Sequence, residues 1–537
     1  MITPTYLGEH VHRDFDVSGL AAAFATATES GRAALQARLE TPLSDAIAIR
    51  GRQAELLSIR SRCKDPAFAE IIQEARACLA SNEADCISVG AAAADPRNAE
   101  YYTQILWSPT SWFARLNHLG WLNEVIVFFR TLFLPGLAVA LPLLVFLAPL
   151  IAMNLMGAGD RGSSMTLQQY FGMIQSALKG AMPSVLGKPR FAGRGGAAEL
   201  GEQFIHIGAT IAMFVASIWN QVSAAMTMRG VAADMRRRAE AVRKTTEAAG
   251  RLAAALGVSV DLGAPWSAGE LGLFGDAWND PARIHTLMAT VGHLDMLAAL
   301  GTAKRVCFPA LGDRIALTDL FHPGLPAAER VYNSLTMDGS GAHVLLTGPN
   351  RGGKSTMLKA LGSAVLMHQC LGIVFARSAT LPLFGSVITA LAPTDRLGRL
   401  SLFEAEIEFA KDVRARLRET TEPVFLMMDE IFHGTNAHDG VEASQVFLDE
   451  LYGATWPCRV FSVVSTHYME LPRRYGPVSG SKTQNLCMDA TMDPADPDRL
   501  IYSYKLRPGV NQFSSVREIL IERGLLSKKL SAPASKV

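Results

Sequence analysis

A glycine-rich run between two apolar segments contains the residue types that hold nucleotide phosphates. In the run Leu345–Thr356, Gly348, Lys354 and Ser355 stand at the spacing of a phosphate loop. Glycines let backbone N–H groups turn toward phosphate oxygens, and Lys354 supplies positive charge to the β- and γ-phosphates. The Ser355 hydroxyl can ligate magnesium. The sequence therefore predicts a binding site for ATP or GTP.

Two later segments end in side chains suited to magnesium and water. The apolar run Val424–Met428 leads into Asp429, predicted to hold magnesium, and Glu430, predicted to polarise the attacking water. The next apolar run, Val460–Val464, is followed by His467, which could contact the γ-phosphate. An isolated histidine is usually structural, but the order phosphate loop, Asp-Glu, His favours a functional role.

Regular elements must position these groups. Residues 342–346 are typical of a short buried strand, and residues 357–366 carry apolar side chains at helical spacing. Phosphates in the loop would then face the positive end of a helix dipole. Because parallel strands present ligand-binding residues at their carboxyl ends, we expect Lys354, Asp429 and His467 to converge on one cleft.

The three motifs together resemble the ATPase domain of the MutS family of mismatch-repair proteins. The resemblance is carried by Thr347–Thr356, by Met428–Asn436 with Asp439-Gly440, and by Thr466–Tyr468. General ABC-type ATPases share the fold but lack the Thr-Gly-Pro-Asn opening. The resemblance implies ATP and Mg²⁺ as cofactors, with Glu430, His467 and Lys354 as catalytic residues and Ser355 and Asp429 as metal ligands. The nucleotide-binding residues it implies are Gly348, Pro349, Asn350, Gly352, Gly353, Lys354, Ser355, Thr356 and Ser401.

A weaker match indicates the oligomeric state. Gly398–Glu406 is similar to the signature loop of the family, with Ser401 at the characteristic serine position. In relatives that serine acts on the nucleotide of the opposite subunit, so the resemblance implies a homodimer with composite ATP sites. Two residues depart from the usual pattern: His433 replaces an arginine, and Arg351 occupies the variable position of the phosphate loop.

Fainter matches extend toward both ends of the chain. Asn485 and Tyr502–Gly509 are similar to the closing strands of the family, and Gly31–Pro42 is similar to the start of its helical core. The N-terminal mismatch-recognition domain of the family, which carries Phe-x-Glu, has no room before those helices. Phe68-Ala-Glu70 matches that triplet but lies in a helical stretch, so we interpret it as coincidence. A shortened family member is expected.

Composition adds an apolar excess and little net charge. The chain has 537 residues, of which 49% are hydrophobic and 19% charged, an unusually apolar balance for a soluble helical ATPase. A net charge of +1 gives no general attraction to nucleic acid, so DNA contact would need a local patch. The seven cysteines show no metal or disulfide spacing, which is typical of a reducing compartment. The first sixteen residues do not have the pattern of a secretory signal.

Two segments carry the apolar excess. Residues 131–159 contain no charged residue, and the candidate span 131–156 exceeds the roughly 20 residues needed to cross a bilayer. A second candidate span, 204–226, also lacks formal charge but contains Asn220 and Gln221. We predict a membrane-attached protein with its ATPase domain on the cytoplasmic side. The alternative is a cytoplasmic protein in which both segments form a buried hairpin of the helical core.

Charge placement leaves the topology open. The basic residues that follow the second segment fit the cytoplasmic side, whereas the loop between the segments is itself basic. That loop includes residues 167–186, which could lie as an amphipathic helix at the membrane interface or contact phosphate. The run Arg236–Arg238 is typical of a solvated helix face, a lipid-headgroup anchor or a DNA contact.

The predicted fold is multidomain, α plus α/β. Its parts are a helical core at 1–125, an apolar hairpin insertion at 126–228, returning lever and core helices at 229–310, a C-terminal ABC-type P-loop ATPase domain of MutS type at 311–524, and a disordered tail at 525–537. Two functions remain in play. One is an ATP-dependent clamp on mismatched or branched DNA, and the other is a membrane-anchored mechanochemical ATPase that acts on a lipid or protein partner without binding DNA.

Overall fold

A computed structural model describes residues 5–92, 100–157, 166–170, 196–338, 342–391, 401–476 and 483–527. Most of the predicted interfacial helix at 167–186, residues 398–400 of the signature loop, and the tail from residue 528 lie outside the described residues. The chain divides into two compact units. The first comprises residues 1–80, 248–261 and 289–537, and the second comprises residues 81–247 and 262–288.

Eleven strands are described, all in the first unit. In chain order they are β1 (Tyr6–Leu7), β2 (Ala310–Leu311), β3 (Ile315–Leu320), β4 (Asn333–Met337), β5 (Ala342–Thr347), β6 (Ser378–Leu381), β7 (Ser386–Ala390), β8 (Val424–Met428), β9 (Val460–Ser465), β10 (Thr483–Asp493) and β11 (Asp496–Pro508). The described α-helices of at least ten residues are Glu29–Leu39, Ala46–Lys64, Pro66–Ala92, Leu134–Gly157, Gly196–Leu256, Glu270–Asn279, Pro281–Thr302, Lys354–Leu371, Leu402–Glu419 and Ala437–Gly453. Shorter α-helices are Val11–Asp14, Val17–Ala22, Gly120–Phe128, Glu470–Arg474 and Val516–Glu522.

A seven-stranded sheet positions the predicted site. Its strand order is β1-β7-β8-β9-β5-β10-β11, and a four-stranded sheet has the order β2-β6-β3-β4. Strands β7, β8, β9, β5 and β10 pair in parallel, and every residue of β8 and β9 is buried, as expected for a sheet covered on both faces. Leu346 pairs with Ser465 and Met428 pairs with Val464. The residues that follow β5, β8 and β9 therefore lie side by side at one edge.

The amino-terminal segment contributes to this sheet, although we expected it within the helical core. Strand β1 pairs in parallel with β7 at the edge. Just after it, the buried Asp14 carboxylate accepts hydrogen bonds from the Thr389 hydroxyl at 2.8 Å and the Leu391 N–H at 3.0 Å. A two-residue strand carries no readable periodicity, which is why sequence patterns missed it.

Asp295 organises the helical part of the first unit. This buried carboxylate accepts hydrogen bonds from the N–H groups of Ala27 and Thr28, both at 2.8 Å, and from the Thr28 hydroxyl at 2.9 Å. Arg76 Nε donates to it at 2.7 Å. Thr28 in turn caps the helix Glu29–Leu39. One buried charge thus holds a helix start and is neutralised by an arginine, as buried charges require.

The second unit contains the apolar segments. The helices Gly120–Phe128 and Leu134–Gly157 are joined by a π-helical turn at Phe129–Phe133. Among the described residues, one helical stretch, Gly120–Leu141, is long and apolar enough to cross a membrane, and only 17% of its most apolar part is buried. It starts eleven residues before the predicted span at 131–156.

The second predicted span has a partial description. Residues 204–226 lie within the long helix Gly196–Leu256, but the side chains of 204–211 and 214 lie outside the described residues. The described part of the chain therefore offers one candidate span rather than two. A single apolar helix is weak evidence for membrane association, because the core helices of soluble proteins meet the same length and composition.

His368 should make the stability of the protein depend on pH. Both ring nitrogens are buried without a hydrogen-bond partner among the described residues, and burial lowers the pKa of His368 to about 4. The unfolded chain, with an ordinary histidine pKa, binds this proton first. Stability is therefore full above about pH 6.5 and falls between pH 6.5 and 4, by up to about 3 kcal/mol from this residue.

Thermal or urea unfolding of the wild type and His368→Phe across this pH range measures the effect. The variant has no titrating group at this position, so the difference between the two stabilities should change with pH. Parallel pH profiles would contradict the prediction.

Candidate functional site

The phosphate loop links β5 to the helix Lys354–Leu371 through a backbone that needs glycine. Gly353 has φ of +91°, a left-handed conformation, and a Cβ there would lie 3.1 Å from the Tyr504 ring. A Cβ on Gly352 would lie 2.9 Å from the Pro349 carbonyl oxygen. The loop therefore turns tightly enough to direct the first N–H groups of the following helix at an anion.

Lys354 is a largely buried cation at the start of that helix. Its side chain is 5% exposed, and its Nζ donates to the Gly348 carbonyl oxygen at 3.1 Å. The same Nζ lies 3.1 Å from His467 Nε2. Burial lowers the pKa of Lys354, while the nearby carboxylates of Glu430 and Asp429 oppose that change. The ammonium group is thus held close to both acidic side chains.

Asp429 joins the phosphate loop to strands β8 and β9. Ser355 Oγ donates to Asp429 Oδ2 at 2.7 Å, and Ser465 Oγ donates to Asp429 Oδ1. The Asp429 N–H donates to the Ala390 carbonyl oxygen at 2.9 Å. A hydroxyl and a carboxylate side by side are the hard oxygen ligands that Mg²⁺ prefers. The described residues contain no cluster of three or more His, Cys, Asp or Glu side chains suited to a metal ion, so other ligands must complete such a site.

Glu430 and His467 contact each other beside Lys354. His467 Nε2 lies 2.9 Å from Glu430 Oε1, and this hydrogen bond is the main reason that the pKa of Glu430 is lowered. The Glu430 N–H donates to Ser465 Oγ at 3.0 Å. Glu430 has φ of +54°, a strained conformation for a residue with a side chain and one often found at functional sites. The carboxylate is therefore ionised, oriented and only part-buried.

A cavity of about 680 Å³ lies beside the phosphate loop. Its volume suits a nucleotide-sized ligand. Phe321, His322 and Tyr504 supply aromatic walls, and Glu430 reaches it from the sheet edge. The other predicted site residues that line it are Pro349, Asn350, Gly353, Lys354, Ser355 and Thr356. A second cavity of about 190 Å³ borders Glu430, but its lining carries six carboxylates and one arginine, which disfavours phosphate.

Ser401 lies apart from this cavity. It caps the helix Leu402–Glu419, with its Oγ accepting from the Glu404 N–H at 3.3 Å and its own N–H donating to the Glu404 carboxylate at 2.8 Å. Ser401 is exposed and is absent from the residues that line the cavity. The structure therefore gathers the predicted residues of the loop, the acidic pair and His467, but not Ser401.

Sequence reasoning missed one supporting position, Ser465, and placed Glu406 in the signature loop without predicting its contacts. Ser465 contacts Asp429 and Glu430 together, and its place at the end of an apolar strand was the available signal. Glu406 is buried and accepts from the N–H groups of His433 at 3.3 Å and Gly434 at 3.1 Å. Glu406 is the last residue of the segment that resembles the signature loop, and the structure adds its burial and these two hydrogen bonds.

Comparison with known proteins agrees with this geometry. Residues 344–519 match the family model for MutS domain V. The DNA mismatch repair protein MutS of Thermus aquaticus is 35% identical over 203 residues, covering 36% of this chain and 23% of that protein. MutS of Exiguobacterium sp. is 30% identical over 196 residues, covering 35% and 23%, respectively. Endonuclease MutS2 of Thermus thermophilus is 34% identical over 168 residues, covering 30% and 22%.

The matched segment spans less than a quarter of each of these relatives. It contains the phosphate loop, the acidic pair and His467 at the edge of a parallel sheet. Residues 344–519 thus match MutS domain V within a mixed helical and α/β chain, and the relatives named MutS and MutS2 are similar to this chain over that part.

Proposed function

We propose that the chain is a magnesium-dependent ATP hydrolase. The observation that carries the proposal is a cluster in which His467 Nε2 lies 3.1 Å from Lys354 Nζ and 2.9 Å from Glu430 Oε1, beside the pair Ser355 and Asp429. Lys354 lies where it can neutralise the β- and γ-phosphates. Ser355 and Asp429 would hold Mg²⁺, which supplies charge stabilisation to the phosphates when bound.

Glu430 is the proposed general base. Its lowered pKa keeps it ionised near neutral pH, so it can accept a proton from a water molecule. The water oxygen then bonds to the γ-phosphorus as the bond to the bridging oxygen breaks and ADP leaves. His467 orients the Glu430 carboxylate and lies close enough to Lys354 to respond to the γ-phosphate. The aromatic walls of the 680 Å³ cavity would contact the base.

Replacing Glu430 by Gln should separate binding from turnover. Because the amide cannot accept the proton, we expect hydrolysis to fall at least about 100-fold while ATP-Mg²⁺ still binds. Steady-state phosphate release and isothermal titration calorimetry measure the two effects. Glu419→Gln, on an exposed part of the same domain, is the matched control and should resemble the wild type. Normal hydrolysis by Glu430→Gln would refute the assignment of the base.

We also propose a homodimer in which Ser401 completes the site of the partner subunit. The exposed position of Ser401 at a helix start, away from the cavity of its own chain, supports this arrangement. The N–H groups at that helix start favour a negative ligand such as a γ-phosphate. Each protomer would then supply the phosphate loop to one site and Ser401 to the other.

The names of the relatives support DNA as the molecule on which the ATPase acts. They are DNA mismatch repair proteins and an endonuclease, so our first proposal is an ATP-dependent clamp on mismatched or branched duplex. With a net charge of +1 the protein has no general attraction to nucleic acid. Clamp action would therefore depend on a local basic surface and should be sensitive to salt.

The surface of the second unit favours a membrane-attached ATPase as the second candidate. Phe128, Phe129, Leu132 and Phe133 are between 45% and 54% exposed at positions four residues apart on one helical stretch. Full burial of a large apolar side chain is worth about 1.5–3 kcal/mol, so each of these half-exposed side chains forgoes roughly half of that. Leu134, Leu137 and Leu141 lie on the other side of this stretch and are between 44% and 55% exposed as well. A bilayer would cover both sides, whereas a single protein groove would cover one.

Charges frame this apolar surface symmetrically. Arg236 pairs with Glu124, with Nη2 and Oε2 2.5 Å apart. Six residues after Glu124 stands Arg130, followed by the charge-free run 131–159. Seven residues before Arg236 stands Arg229, preceded by 203–228, which contains no Asp, Glu, Lys or Arg. Both runs exceed the roughly 20 residues of a membrane span and begin at a similar distance from one ion pair.

Charged substitutions in the apolar stretch should release the protein from membranes. Lysine at the centre of a membrane helix costs about 2.5–3.5 kcal/mol, so Leu137→Lys with Leu141→Lys should move the protein from the membrane pellet to the supernatant. Ile47→Lys is the matched control, since Ile47 is 81% exposed in the other unit. A wild-type protein already in the supernatant, as soluble as a form without residues 126–228, would remove the membrane proposal.

ATP hydrolysis assays distinguish the DNA clamp from the membrane-attached ATPase. Stimulation by branched DNA that weakens with salt would support the clamp, whereas stimulation by liposomes and indifference to DNA would support the membrane ATPase. The same preparation of full-length protein serves both assays.

A further inference from the structure

Arg351 places a second permanent cation in the wall of the proposed nucleotide cavity. Of the residues that line it, Arg351 and Lys354 carry a permanent positive charge. Arg351 has φ of +66°, a left-handed conformation that costs a side-chain-bearing residue about 1–3 kcal/mol. That conformation lies within the phosphate loop itself, three residues before Lys354. The Arg351 guanidinium, unlike the Lys354 ammonium, is not enclosed, since the Arg351 side chain is 42% exposed.

A carboxylate, that of Glu522, forms an ion pair with this guanidinium. Arg351 Nη1 donates to Glu522 Oε2 at the end of the helix Val516–Glu522, and the guanidinium lowers the pKa of Glu522. That helix is docked by other contacts. Arg517 Nε donates to Asp498 at 2.6 Å, and the Glu518 carboxylate accepts from the Leu500 N–H at 3.4 Å and from the Tyr502 hydroxyl. Loss of the Glu522 charge would therefore leave the helix in place.

The Arg351–Glu522 pair is suited to exchange. Both side chains are largely solvated, Glu522 being 57% exposed, so water screens their attraction. A polyphosphate carries more negative charge than one carboxylate and can accept two parallel N–H bonds from a guanidinium. In competition for Arg351, the phosphates of a bound nucleotide should displace Glu522.

We propose that Arg351 is a phosphate-binding residue of the nucleotide site and that Glu522 competes with the nucleotide for it. The proposal rests on the function proposed above and names a residue and a competitor beyond Lys354 and the metal ligands. The stronger the ion pair between Glu522 and Arg351, the more Glu522 then lowers the affinity for nucleotide. Nucleotide binding frees the end of the helix Val516–Glu522 from the phosphate loop.

Isothermal titration calorimetry with ATP-Mg²⁺ and ADP-Mg²⁺ on the full chain tests this proposal. Arg351→Gln should weaken ATP binding about tenfold, since it removes a charged hydrogen-bond donor. Glu522→Gln should tighten it up to about fivefold, the range of an exposed ion pair. In the Arg351→Gln background, Glu522→Gln should change nothing. Asp449→Asn is the matched control, because it removes a carboxylate from another exposed arginine pair, with Arg474 at 2.7 Å, and should leave affinity unchanged.

A charge-swapped protein distinguishes phosphate binding by Arg351 from a purely structural role, in which the ion pair only attaches the helix Val516–Glu522 to the phosphate loop. Arg351→Glu combined with Glu522→Arg can re-form the ion pair but places a negative charge in the phosphate loop. Under the proposal it binds ATP more weakly than Arg351→Gln does. Recovery of wild-type ATP affinity by the swapped protein would overturn the proposal, because the ion pair would then have only a structural role.

Different results would reject the nucleotide site and the role of Arg351 within it. If the wild type binds no nucleotide, or binds it equally well as Lys354→Ala, the nucleotide site itself is wrong. If Lys354→Ala abolishes binding while Arg351→Gln and Glu522→Gln both match the wild type, the site stands and the role of Arg351 is rejected.

Discussion

Lys354 brings a positive charge to a position that is only 5% exposed, and the rest of the site is arranged around that charge. A buried charge is stable only with partners. Here the partners come from three strand ends: the Gly348 carbonyl after β5, the acidic pair after β8 and His467 after β9. The parallel register of these strands places all of them at one edge. Without that register, Lys354 would lie among apolar side chains with no counter-charge.

Ser465 shows how closely the partners are coupled. Its single hydroxyl donates to Asp429 and accepts from the Glu430 N–H, so the proposed metal ligand and the proposed base share one support. Asp429 in turn accepts from Ser355 on the phosphate loop. Movement of the loop would reach both carboxylates through these contacts. The same loop carries Arg351, which contacts the carboxyl-terminal helix, so the chain of contacts extends from Glu430 to Glu522.

The second unit obeys a different constraint. Asn117, fully buried, accepts from the Trp107 N–H at 2.8 Å and donates to the Trp107 carbonyl oxygen at 2.8 Å and to Asn279 at 2.9 Å. Its large apolar side chains, in contrast, are exposed along Gly120–Leu141. A long apolar stretch left uncovered is suited to a nonaqueous neighbour. This contrast is the physical basis for the membrane proposal.

The proposed nucleotide site could be predicted from local spacing, because a phosphate loop, an Asp-Glu pair and a histidine each follow an apolar strand. Such motifs depend on neighbouring residues, and neighbouring residues are what a sequence displays. The tertiary structure alone decided which distant groups support them: β1 at the sheet edge, Ser465 between two carboxylates, Glu406 beneath His433, and Glu522 on Arg351. These contacts join residues far apart in the chain, and their side chains look ordinary in sequence because long-range packing, not local pattern, gives them partners.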